Sequence, residues 1–179
     1  MVDASFVEVP NQRNPRDENQ RRQKDTDARW TKKANINYYG YKDHAKYKFI
    51  TNYQTPPANV HGSQVCGVLV TAHETVYDDS AYKDQDLPEG TTHKSCERAY
   101  QNRPLTEVQK AVNRFYSKTR CHVEHVFGFI ENSMNGSTLR SIGFQRVVTS
   151  VDLTNLTYNL FRYEQIQRLA LKKWEKESA

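Results

Sequence analysis

The sequence predicts an α/β or α+β domain, on three observations. Runs of β-branched and aromatic residues crowd the N-terminal part, helical spacing dominates after Thr106, and strand and helix signals alternate between them. The 179 residues suit one domain, 1–179, better than two. Leu, Ile, Val and Phe number only 36. That is close to the lower limit for a charged chain with a core, so the apolar residues must be concentrated.

Val2 to Val9 is rich in β-branched and aromatic residues and stops at Pro10, as a strand does. Residues 10–35 hold no Leu, Ile, Val, Phe or Met. Their eight basic residues outnumber four acidic ones, which predicts a polar basic loop or a short polar helix, with Trp30 as its large apolar residue. Ile36–His44 and Lys48–Gln54 are tyrosine-rich and predict antiparallel strands joined near Ala45. Between Val60 and His73, helical spacing of Val60, Val65, Leu69 and Ala72 predicts a short buried helix. Glu74–Tyr77 is a brief strand leading into Asp78-Asp79, and Pro88 and Gly90 break any long element in residues 83–103.

Thr106 and Gln109 form a capping box that opens the longest predicted helix, which Asn135-Gly136 ends. Its apolar face is Val108, Val112, Phe115, Val123, Val126, Phe127 and Ile130; Asn113, Ser117, Arg120 and Glu124 lie opposite. A last helix, 152–176, repeats Leu153, Leu156, Leu160, Tyr163 and Ile166 at helical spacing.

Composition excludes several classes of function. No apolar run is long enough to span a membrane, and no basic-then-apolar start marks a secretory signal. Three scattered cysteines, Cys66, Cys96 and Cys121, make no disulfide framework and fit a reducing, cytoplasmic setting. Cys121, His122 and His125 crowd one helical segment, but no fourth ligand at zinc spacing accompanies them. A net charge of +5 permits a polyanionic partner without requiring one.

Three acids stand out by position: Asp3 in the first strand, Asp79 after a short strand, and Glu124 on a polar helix face. Oxygen-only ligands suit hard cations such as Mg²⁺ or Mn²⁺, and two such ions serve phosphoryl transfer. Spacing alone also leaves each readable as an ordinary acid at a strand end or on a solvated helix face.

Six ordered segments carry a resemblance: Val2–Glu8, Asp27–Lys33, Tyr39–His44, Pro57–His61, Asp79–Tyr82 and Arg120–Gly128. In this order they resemble the core of a DDE transposase of a bacterial insertion sequence, in insertion-sequence family five. The resemblance runs from residue 2 to about 163 and takes in Leu105-Thr106-Glu107. It implies an RNase H-like fold, a mixed sheet flanked by helices, with Asp3, Asp79 and Glu124 as catalytic metal ligands for Mg²⁺, Mn²⁺ substituting. It also implies strand cleavage and transfer on DNA by a homodimer near the nucleoid, with no membrane partner and no small-molecule substrate. Arg120, four residues before Glu124, shares its helix face. Arg120, Lys118 and Lys42 are the expected phosphate contacts, and Lys32 and Lys33 lie in a basic stretch suited to DNA.

Departures from the family are specific. Ser117 and Glu131 stand where the signature has a tyrosine and a lysine, with Tyr116 one residue out of register, and Gly62 stands in a His-Asp-Ser motif. Family members also carry a DNA-binding region ahead of the first aspartate, so a catalytic part without its N-terminal DNA-binding domain is expected. A catalytically inactive transposase remnant that binds DNA non-specifically, and a general RNase H-like nuclease, are the rival readings.

Overall fold

The computed structural model describes residues 2–11, 24–46, 48–78, 87–100 and 103–177. Six strands and three helices follow in the order β1 (Val2–Glu8), β2 (Arg29–Lys33), β3 (Ile36–Lys46), β4 (Asn52–Gln54), α1 (Ser63–Leu69), β5 (Thr75–Asp78), β6 (Thr92–Ser95), α2 (Glu107–Met134) and α3 (Phe144–Glu177). The architecture is mixed α/β, as the sequence predicts.

Strand β3 is the centre of the larger sheet. It pairs antiparallel with all of β1, from Val2↔Lys46 to Glu8↔Gly40. Its other edge takes β2 at the start and β4 at the end. Gly40 makes the β1–β3 approach possible: at φ +153, an added Cβ would lie 2.1 Å from the Val7 carbonyl oxygen. The second sheet holds β5 and β6 in parallel. It meets β1 through side chains, since Val2, Val65, Cys66, Leu69, Val70 and Val76 form one buried cluster joining β1, α1 and β5.

Four expectations change. The polar basic stretch is not all loop, because β2 lies within it, joined to β3 by Ala34 (φ 47) and Asn35 (φ 64). Two consecutive positive φ values fit the turn that matches strand twist. An edge strand held by main-chain pairing, with little side-chain burial, leaves no apolar signal to read. The turn near Ala45 moves on, because Ala45 is buried inside β3 and pairs with both Asp3 and Tyr53. Strand β6 forms in the polar 83–103 segment, where its parallel partner β5 supplies what its own pattern lacks.

The fourth change concerns the long helices. Helix α2 has the predicted capping box, with the Thr106 side chain accepting from the Gln109 N–H, and ends at Asn135 with φ 52. Val123, Val126, Phe127 and Ile130 are buried with Ala45, Ile50 and Tyr158. Val108, Val112 and Phe115, on the N-terminal half, are exposed. Helix α3 starts at Phe144, not near residue 152, and it buries Val147, Val151, Asn155 and Tyr158. The apolar repeat of the predicted helix, Leu153, Leu156, Leu160, Tyr163 and Ile166, is exposed. Packing of Val147 and Val151 against Val7, Tyr39 and Tyr41 outweighs the low helix propensity of that β-branched run.

Candidate active site

Asp3 sits early in β1, opposite Ala45, and its Oδ1 accepts a hydrogen bond from the Ala4 N–H at 2.8 Å. Its position is fixed from both sides. Val2 before it is buried in the cluster that includes Val76 of β5, and Ala45 opposite packs against α2.

Helix α2 brings in the second carboxylate. Val123, fully buried, anchors the helix one residue before Glu124. Arg120 Nη2 donates to Glu124 Oε1 at 3.1 Å, and the Glu124 side chain is half exposed. Burial pushes the Asp3 carboxyl above the ordinary aspartate pKa of 3.8, and Glu124 pushes the same way; the Ala4 N–H, Arg120 and Lys33 pull it back. Asp3, Arg120 and Glu124 therefore share one electrostatic neighbourhood.

Asp79 lies outside the described residues. Its strand does not: β5 ends at Asp78 and packs on β1 through Val76 and Val2. Lys46, buried in β3, secures this arrangement by donating to Leu69 O at 3.1 Å and pairing with Glu74 just before β5. Sequence reasoning passed over Lys46 and Glu74. A lysine at the end of a tyrosine-rich strand reads as a solvated terminus unless its partner is known.

The predicted cations divide into two sets. Lys33 and Lys42 each hold Nζ 5.6 Å from the centre of the Phe6 ring, which stacks on Tyr38 at 4.4 Å. Lys42 Nζ donates to Val60 O at 2.8 Å; burial lowers its pKa, and the Lys33 charge lowers it further. Two like charges over one ring raise the local positive potential. Lys32 and Lys118 are exposed. Lys32 alternates to the other side of β2 from Lys33, and Lys118, two residues before Arg120, lies off the Arg120–Glu124 line.

Three more polar residues are buried close by. Burial pushes Asp43 up to about 7, with Asp152 contributing, and holds His44 down to about 4, with Lys42 and His61 contributing. Asp25 ties the start of β2 to the fold: its carboxylate accepts from Tyr41 Oη at 2.8 Å and from the Gly143 N–H at 2.9 Å. Inside a run of arginines and acids, Asp25 gives no sign of being 1% exposed. Among the described residues, no group of three His, Cys, Asp or Glu side chains is placed to hold a metal. None of their helices is long and apolar enough to cross a membrane.

A family model for the transposase DDE domain matches residues 1–160. The chain belongs to that family. A transposase for insertion sequence element IS1106 from Neisseria meningitidis serogroup B is 32% identical over 154 residues, which cover 78% of this chain and 52% of that protein. The chain thus spans about half the length of this curated transposase. No solved structure matches the chain. Asp3 and Glu124, both inside the matched range, are carboxylates that β1 and α2 bring into one neighbourhood.

Proposed function

We propose that the chain is the catalytic domain of a DDE transposase, cutting DNA strands and joining the freed 3′ hydroxyl to target DNA. The observation that carries this is the convergence of Asp3 with the Arg120–Glu124 pair, beside the strand that leads to Asp79. The strand arrangement supports an RNase H-like reading: an antiparallel β1–β3 pair, a parallel β5–β6 pair packed at β1, and a glutamate-bearing helix across them.

The donor set fits a divalent metal. Asp3 and Glu124 offer carboxylate oxygens; burial first, and the Glu124 charge to a lesser degree, raise the Asp3 pKa, and a bound cation would offset both. In this reading Asp3, Asp79 and Glu124 hold Mg²⁺, or Mn²⁺ in its place. Bound ions supply an activated water or 3′ hydroxyl and charge stabilisation at the leaving oxygen. Arg120 orients the Glu124 carboxylate, and its guanidinium suits a phosphate. Lys33 and Lys42 take a neighbouring phosphate beside Phe6, and Lys32 and Lys118 add longer-range attraction for the DNA backbone. Two copies hold two DNA ends, and the chain acts in the cytoplasm at the nucleoid.

The test is cleavage of a labelled duplex carrying the element's end, with Mn²⁺ and then Mg²⁺. Asp3→Asn and Glu124→Gln are each expected to lower the rate by a factor of about 100 or more. Equal rates in wild type and both variants would overturn the assignment. A second reading, an inactive remnant that binds DNA non-specifically, is favoured by Glu131, an acid where the family signature has a lysine. It predicts no cleavage with either ion, together with binding that is indifferent to sequence and weakens steeply with salt.

A further inference from the structure

The last helix turns its leucines to solvent. Leu153, Leu156, Leu160 and Tyr163 are 56–61% exposed. They succeed one another at intervals of three, four and three residues, the spacing of a seam that receives a second helix. Gln167 and Ala170 extend the line, and Leu171, 61% exposed, borders it. The opposite side of α3 is occupied as far as Tyr158, with Val147, Val151, Asn155 and Tyr158 buried, while beyond it Phe161, Ile166 and Leu169 are exposed as well. The helix therefore has two working faces roughly half a turn apart, and one of them has no partner among the described residues.

The line fits a second copy of itself. Five side chains exposing about 100 Å² each offer on the order of 500 Å² per copy, so a symmetric pair reaches the roughly 1,000 Å² that a specific interface needs. Gln167 supports the same partner. A polar residue at one seam position sets register, and a side-chain amide is donor and acceptor at once, so an identical amide opposite satisfies it. On one flank the exposed Glu164–Arg168 ion pair keeps the border of the seam in water.

We propose that α3 pairs with α3 of a second copy along Leu153, Leu156, Leu160, Tyr163 and Gln167. This rests on the two-copy part of the proposed function and names its surface. The seam residues all belong to α3, whereas Asp3 and Glu124 belong to β1 and α2.

Sedimentation equilibrium of the full 179-residue chain, without DNA or divalent ion, tests it from about 1 to about 100 μM. Wild type is expected to dimerise with a Kd of about 10 μM or tighter, and Leu156→Glu/Leu160→Glu to raise that Kd at least about tenfold. Phe115→Glu, an equally exposed apolar position on α2, is expected to leave it unchanged. Circular dichroism checks that helix content survives; if the double variant loses it, Leu160→Ala alone is expected to weaken association about threefold to tenfold. A wild-type monomer throughout the range overturns the proposal, as does a dimer whose Kd the seam variants do not move. Both readouts are independent of chemistry: a monomer that cleaves DNA sinks the seam alone, and a dimer that never cleaves sinks only the catalytic reading.

Discussion

Helices α2 and α3 are both long, both carry apolar residues at helical spacing, and use that spacing in different ways. In α2 the C-terminal half of the predicted face, Val123 to Ile130, is buried against β3 and α3, whereas the N-terminal half leaves that face exposed and meets the β5–β6 sheet with its polar side, through Asn113 and Tyr116. In α3 the predicted face is the outer one throughout, and the inner face includes a buried Asn155. Periodicity establishes that a segment is helical. Which side goes inside depends on what stands next to it, and a helix with one apolar stripe and one mixed stripe can bury the mixed one when that one meets the sheet.

The sharpest way to break this comparison is to place a charge on each stripe. Val126→Asp puts a carboxylate in a fully buried position of α2, at an expected cost of about 3–5 kcal/mol, enough to unfold a marginal domain. Leu153→Asp, on the outer stripe of α3, is expected to stay within about 0.5 kcal/mol in dilute solution. Urea titrations of both variants decide it. Comparable losses would mean that the outer stripe of α3 is packed within a single chain.

A smaller effect sharpens the view of the mixed inner stripe. Asp43, 5% exposed under α3, binds its proton more tightly in the folded chain than in the unfolded one. Its contribution is fully present below the ordinary aspartate value of 3.8 and is lost as the pH rises to about 7. Asp43→Asn keeps a neutral side chain there. Its stability relative to wild type is expected to rise by on the order of 1–4 kcal/mol between pH 4 and pH 7. A difference that stays constant across that window would show that the carboxyl meets a compensating charge.

The smallest expected effect lies at the free end of α2. Thr106→Ala removes the cap and is expected to cost about 1 kcal/mol or less, because the turns it supports expose Val108 and Val112. Amide exchange should quicken in residues 107–112 and stay unchanged at Val123 to Ile130. A loss reaching the C-terminal half would mean that α2 melts as one unit.

These contrasts also explain what the sequence could show. Strand β1, the α1 helix, the Thr106 cap and the Asn135 stop were readable because each rests on a local rule. Strands β2 and β6 were not, since β2 is an edge strand that buries little of its side chains and β6 draws on a parallel partner well before it in the chain. At the proposed site, Asp3, Arg120 and Glu124 are singled out by ordered motifs and a four-residue helical interval. Lys46, Glu74 and Asp25 were missed because a buried charge looks like a surface charge until the group that neutralises it is located.

The contact between β1 and β5 has a mechanical meaning. Among the described residues no hydrogen-bond ladder joins these strands; Val2, Val76 and the side chains around them hold them together. Ladders lock register in steps of a residue, whereas dispersion contacts resist sliding only softly. The two strands that carry or lead to the predicted aspartates therefore meet at a slip plane, braced at one end by Lys46 and Glu74. Anything gripping both aspartates at once would act as a cross-brace, stiffening the junction where the backbone leaves it least constrained.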